Sequence, residues 1–323
     1  AHSYNKGGAV LHMLRNYLGD EAFFAGLKKY LNDTAYRAVE PAELRMAFED
    51  TVGEDLNWFF DQWYFEAGHP VLEMDYAYDE ATKMASVTIE QLQDPEDSPA
   101  IYVLPMGVDV YVGKRKAMHH EITLNQRKQT FTFEAAEKPI LINVDTDKAL
   151  LAIKRDNKSE QALIFQYYNG KNYLDRWEAL DGLKGSRNPA AKKVFDAALE
   201  DQFWGLRRKA VGLIEDFTNP NTLMKITKLA EQDPRSDVRA GALELLGETK
   251  DQQYVPLLQK AINNDPTYQG MSAALNALAN VDASAALGIA EQLEQEENTS
   301  VFLALTKVYS QVADPKFLDF FEK

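Results

Sequence analysis

The chain has 323 residues, 45% of them hydrophobic and 26% charged, an ordinary globular balance with enough length for two or three domains. Its formal net charge of −15 disfavours nucleic acid or an anionic membrane as a partner. The absence of cysteine excludes disulfides, thiolate metal sites and cysteine nucleophiles and leaves the compartment open. No apolar run approaches the roughly 20 residues that span a bilayer, so no membrane span is expected.

Residues 1–68 read as helices. Val10, Leu11, Leu14, Tyr17 and Leu18 share one face at helical spacing, and Gly19 is a stop signal. Phe23, Phe24, Leu27, Tyr30 and Leu31 mark a second helix, and Pro41 and Gly53 bracket a third. A fourth runs from about Leu56 to Phe65, and its aromatic cluster of Trp58, Phe59, Phe60, Trp63 and Tyr64 reads as core.

Gly68-His69-Pro70 breaks this pattern, and the period changes from 3.6 to 2. Val71, Glu73 and Asp75 alternate with Leu72, Met74 and Tyr76, and Val87, Ile89, Val108, Val110, Phe131, Phe133, Ile142 and Val144 continue the style. Short runs separated by turn-rich stretches such as Asp94-Pro95-Glu96-Asp97-Ser98-Pro99 predict a small antiparallel β-sandwich over residues 69–154.

From residue 155 to 323 the helical period returns and repeats. Ala210, Ala242 and Ala274 are spaced by 32 residues, as are Ile214, Leu246 and Leu278 and the turn pairs Asp233-Pro234 and Asp265-Pro266. Ala179 and Leu183 extend the register backward, and Ala304 and Val308 extend it forward with a slip. Two short helices per unit cannot bury their apolar stripes alone, so neighbours must stack, which predicts a HEAT-like α-solenoid. Arg207 and Arg239 occupy the same register position and read as helix-face or capping charges.

Little in the sequence announces chemistry. A helical metal site needs converging ligands such as two histidines at i and i+4, and His2, His12, His69, His119 and His120 do not pair in that way. His119 and His120 lie in a strand-like run, where adjacent side chains point to opposite faces and cannot chelate one ion together. There is no nucleophile elbow and no phosphate loop.

One cluster stands apart. Ser3-Tyr4-Asn5-Lys6-Gly7-Gly8-Ala9, running into Val10-Leu11-His12-Met13-Leu14-Arg15, resembles the Tyr-x-Lys-Gly stretch of the M1 family of zinc aminopeptidases, the gluzincins. Phe23 and Tyr30-Leu31, the run Leu56-Asn57-Trp58-Phe59-Phe60-Asp61-Gln62-Trp63, and Gly68-His69-Pro70-Val71-Leu72 also resemble that family. The order of segments agrees in outline along the whole chain. The resemblance implies an all-α remnant of the catalytic domain over 1–68, a sandwich over 69–154 and a HEAT-like array over 155–323.

The resemblance also implies a role for Tyr4: its hydroxyl donates to the oxygen that becomes negative as water activated by zinc attacks the scissile carbonyl. A phenol suits this task because it keeps its proton at neutral pH, and one such donor is worth roughly 10²–10³ in rate. The family's His-Glu-x-x-His, its later Glu ligand and its Gly-x-Met-Glu-Asn motif all precede the Tyr motif, and none occurs here. The chain is therefore expected to be the C-terminal portion of a zinc-dependent aminopeptidase, inactive alone and without a metal of its own. Its expected partners are the missing N-terminal catalytic half and, in the parent, a peptide substrate. That half should dock on apolar area left exposed by residues 1–68.

The neighbours of Tyr4 leave alternatives open. Asn5 could cap a helix. Lys6 could pair with an acidic residue of the missing half or be solvated. Gly7 and Gly8 could admit substrate or backbone, or reflect tight helix packing. The rival reading of the whole chain is a noncatalytic repeat scaffold that binds a protein partner.

Overall fold

The helical stripe at the start of the chain closes into packed helices because its apolar residues can reach one core. In the computed structural model, which describes residues 2–113, 117–312 and 314–321, a π-helical turn over His2–Lys6 leads into α1 (Gly7–Leu18), α2 (Asp20–Asp33), α3 (Pro41–Val52) and α4 (Asn57–Phe60). Glu40 and Glu43 form a capping box at the start of α3, and Gly53, at φ 70°, closes its end. The expected fourth helix is α only as far as Phe60 and then widens to a π turn over Asp61–Phe65. That turn buries both Gln62 and Trp63. The Gln62 amide exchanges two 2.9 Å hydrogen bonds with the backbone of Val103, and the Trp63 ring packs on Tyr102.

Seven strands follow among the described residues: β1 (Val71–Asp79), β2 (Met84–Gln91), β3 (Leu104–Tyr111), β4 (Met118–Leu124), β5 (Lys128–Glu134), β6 (Leu141–Val144) and β7 (Ile153–Asp156). They form two sheets, ordered β5-β2-β1-β7 and β4-β3-β6. Alternation places Ala85, Val87 and Ile89 of β2 and Leu72 and Met74 of β1 inside. The sheets are not purely antiparallel, because β7 runs parallel to β1 with Ile153 opposite Val71. The intervening strands supply the long crossover that a parallel pair requires. Local periodicity carries no information about that direction.

Helices and sandwich share one apolar core. Val10, Leu14, Phe48, Phe60 and Trp63 belong to the same buried cluster as Leu72, Ile89, Val108 and Val144. Each fully buried side chain of this size contributes about 1.5–3 kcal/mol of transfer free energy, so the shared core couples the helices to the sandwich.

Two further helices, α5 (Glu160–Asn169) and α6 (Tyr173–Gly182), complete the first of two compact units, residues 1–182; the second spans 183–323. Ala162 of α5 packs with Tyr111 and Leu141. Buried ionic contacts fasten α6. Asn143 Nδ2 donates to Asp175 Oδ1 at 2.9 Å, Lys148 pairs with Glu178 at 2.7 Å, and Lys154 bridges Asp145 at 2.6 Å and Glu178 at 3.1 Å. Burial opposes charge on Glu178, yet Lys148 and Lys154 bring its carboxyl down to about 2.

The second unit comprises α7 (Pro189–Ala198), α8 (Trp204–Val211), α9 (Pro220–Gln232), α10 (Ser236–Glu248), α11 (Val255–Asn264), α12 (Tyr268–Val281), α13 (Ala283–Ala290), α14 (Thr299–Val312) and α15 (Leu318–Phe321). Ala210, Ala242 and Ala274 are fully buried at matching places on α8, α10 and α12. A Cβ on Gly247 would fall 2.6 Å from the Ala277 Cα, so α10 and α12 meet backbone to backbone there. The in-register arginines are more than surface charges. Arg207 forks onto Asp233 at 2.6 and 3.0 Å, and Arg239 onto Asp265 at 2.7 and 2.9 Å. Each also donates to the carbonyl of the turn before its own helix, Asp201 and Asp233 respectively. The repeated Asp-Pro turn is thus an ion-pair acceptor in every register unit that has its arginine.

Candidate functional site

Tyr4 stands on the π turn that precedes α1, and its side chain is 89% exposed. Among the described residues none covers it. The neighbouring residues show what holds this turn within the chain. Asn5 lies within the π turn and caps nothing, since the cap position of α1 is Lys6 and carries no side-chain cap bond. Lys6 is half-buried and its Nζ donates to the Gly68 carbonyl at 2.9 Å. It is thus engaged within this chain, which neither of the two expectations for it anticipated. Among the described residues, and apart from the local backbone, no atom lies within 4 Å of the Cβ position of either Gly7 or Gly8. Tight helix packing inside this chain is therefore not the reason for those glycines.

Residues 1–68 leave several large apolar side chains open to solvent. Phe24, Leu31, Met46 and Phe65 are about half exposed, and Tyr36 is wholly so. By contrast Phe59, Phe60 and Trp63 are buried, as the core reading of the aromatic cluster requires. Trp58 makes edge contacts with Tyr17 and Phe59. Tyr17 donates to Glu54, and burial together with that carboxylate pushes its phenol up to about 12. A cavity of about 310 Å³ opens beside them, with Trp58, Met13 and Tyr17 on one side and Glu121 and Asp147 on another.

The strand histidines do split between the two faces. His119 Nδ1 meets Asp109 at 2.7 Å and its Nε2 meets Glu121 at 2.8 Å, while the His120 ring packs on Phe133. Glu121 and Asp109 both favour the imidazolium and raise the His119 pKa. Burial alone would raise the Asp109 carboxyl, but Lys171 and His119 outweigh it and hold it below its usual value. His12 and His69 are exposed. Among the described residues no group of three His, Asp or Glu side chains could hold a metal ion, so the residues present do not fit a zinc site. No helix among them is long and apolar enough to cross a membrane.

Sequence reasoning missed the Lys6–Gly68 bond and the ionic cluster around Glu178. Both join residues far apart in the chain, and the only local signal for the first was a lysine beside a paired glycine ahead of an apolar stripe.

A Tyr-x-Lys-Gly turn on a helical segment, followed by a small sandwich and a helical repeat array, defines a class. The peptidase family M1 domain matches residues 1–63, and HEAT repeats match residues 223–310. Residues 1–63 are thus similar to the peptidase family M1 domain, and the array to HEAT repeats.

Among its relatives is the Tricorn protease-interacting factor F2 of Thermoplasma acidophilum, 28% identical over 56% of this chain and 21% of that protein. Aminopeptidase N of Haemophilus influenzae is 27% identical over 54% of this chain and 22% of its own length. Aminopeptidase N of Lactococcus lactis is 32% identical over 33% of this chain and 12% of its length. The matched stretches thus span about a fifth or less of these curated relatives. The crystal structure of Legionella pneumophila aminopeptidase A in complex with aspartic acid superposes on all of this chain and 41% of its own, with a TM-score of 0.61 and 19% identity. At that identity the likeness concerns the fold.

Proposed function

We propose that the chain is the C-terminal portion of a zinc-dependent aminopeptidase that removes N-terminal residues from peptides. In this reading residues 1–68 end the catalytic domain, residues 69–154 are a sandwich spacer and residues 155–323 are the HEAT-like array. The observation that carries the reading is an uncovered tyrosine on a tethered turn inside the M1-matched segment. The zinc and its ligands come from sequence this chain does not contain. Tyr4 donates its phenolic O–H to the oxygen of the scissile carbonyl as water adds to the carbon and charge gathers on that oxygen. The metal-bearing part docks on apolar side chains that residues 1–68 leave exposed, among them Phe24, Leu31, Met46 and Phe65. Alone, the chain is inactive.

A noncatalytic scaffold is the second reading, favoured by the HEAT match over residues 223–310. The test measures zinc content and hydrolysis of an aminoacyl chromogenic amide, first for the chain alone and then after mixing with the N-terminal part that carries the ligands. Silence alone and zinc-dependent turnover on mixing support the aminopeptidase reading. Silence after demonstrated association and zinc loading favours the scaffold.

A further inference from the structure

We infer that Lys6 is a positioning residue for Tyr4, and that through it the sandwich sets where the catalytic hydroxyl stands. The inference rests on the functional reading above and adds the part of the chain that aims the tyrosine.

The first turn of a helix carries N–H groups without intrahelical partners, so its placement depends on contacts from elsewhere. Here the first turn is of the rarer, wider π type, and the junction with α1 lacks a side-chain cap. Val10, buried at 2% exposure, is the first core anchor of α1, and it lies a turn and a half beyond Tyr4. Between them, the long-range hold is the Lys6 ammonium on the Gly68 carbonyl, 62 residues away in sequence. A charged donor on a half-buried carbonyl is among the stronger hydrogen bonds of a protein.

The acceptor is itself fixed. Gly68 has φ +79°, and a Cβ there would lie 2.5 Å from the Ser98 Cβ and 3.0 Å from the Asp97 carbonyl oxygen. Its backbone is therefore pressed against the 97–98 turn in a conformation that glycine adopts without strain. That turn is locked by Ser98 Oγ donating to the Asp94 carbonyl at 2.6 Å and by Glu96 N donating to Asp94 Oδ1 at 2.9 Å. On either side of Gly68, Tyr102 donates to the Ala67 carbonyl and Ile153 N to the Pro70 carbonyl. The line of support runs from the two sheets through Gly68 and Lys6 to the turn that bears Tyr4. Lys6 touches neither substrate nor metal in this account and acts only by holding that turn.

The test is a double-mutant cycle in the enzyme completed by its metal-bearing part, with kcat and KM measured on an aminoacyl p-nitroanilide. Lys6→Met keeps the aliphatic stem and removes the donor. It should lower kcat roughly tenfold, the loss that one charged hydrogen bond represents, with KM within about twofold, and Lys6→Arg should recover part of the loss. In the Tyr4→Phe background Lys6→Met should cost nothing further, because a residue that acts through Tyr4 has nothing left to position. Hydrogen exchange on the chain alone should speed up roughly tenfold at the first protected amides of α1, with the melting temperature unchanged.

A silent Lys6→Met beside a damaged Tyr4→Phe overturns the positioning role alone. The same loss in both backgrounds makes Lys6 a general structural contact and also overturns it. A Tyr4→Phe enzyme as active as the parent overturns the functional reading, and this inference with it.

Discussion

The start of α1 and the two ends of α10 use glycine and cationic side chains for opposite purposes. On α10, Gly247 is squeezed against the backbone of Ala277, and Arg239 is forked onto Asp265 with both side chains nearly covered. On α1, Gly7 and Gly8 face empty space, and Lys6 spends its charge on holding a turn that bears a wholly uncovered tyrosine. At α10 these groups are closed against neighbouring helices, whereas at the start of α1 they meet no described neighbour. A glycine with no neighbour is costly in a helix, while a glycine against a backbone is explained by packing.

Breaking an array clamp should produce the largest effect. Arg239→Ala leaves Asp265 buried without its partner and should destabilise the second unit by about 3 kcal/mol in urea unfolding. Arg239→Lys should recover little of that, because an ammonium cannot make the fork. A loss under 1 kcal/mol would show that the pair is merely tolerated.

The ionic cluster of the first unit comes next. The folded Glu178 carboxyl sits at about 2 because Lys148 and Lys154 outweigh its burial. Its folded pKa is below the unfolded one, so its stabilisation is complete above the ordinary glutamate range near 4.3 and is lost as pH falls toward 2. Acid titration of the first unit's melting temperature should show this loss, and Glu178→Gln should flatten it while costing about 2 kcal/mol at neutral pH.

The glycines sharpen the comparison with smaller, opposite signs. Gly247→Ala must push two helices apart and should cost about 2 kcal/mol. Gly8→Ala meets no obstacle and should stabilise the isolated chain by about 0.5–1 kcal/mol. If Gly8→Ala also lowers activity in the completed enzyme, the space beside Tyr4 is needed by a group from outside the chain.

Much of this architecture was legible in the sequence because local rules govern it. The stripe from Val10 to Leu18, the alternation through Val87 and Ile89 and the 32-residue recurrence of Ala210, Ala242 and Ala274 each follow from the period of one element. Pairings between distant residues were not legible. The parallel run of β7 beside β1, the π turns around Tyr4 and Gln62, the bond from Lys6 to Gly68 and the Lys148–Glu178–Lys154 cluster depend on where elements meet, and no periodicity records that. Tyr4 was singled out by family resemblance. Its surroundings give it an open face and a tether, and those properties are the ones an experiment can remove.

The most direct measurement is kcat of the Tyr4→Phe enzyme, completed by its metal-bearing part, beside the melting temperature of the same variant as the isolated chain. The account predicts a loss of about 10²–10³ in kcat with the melting temperature unchanged, since Tyr4 is 89% exposed. An unchanged kcat would contradict it.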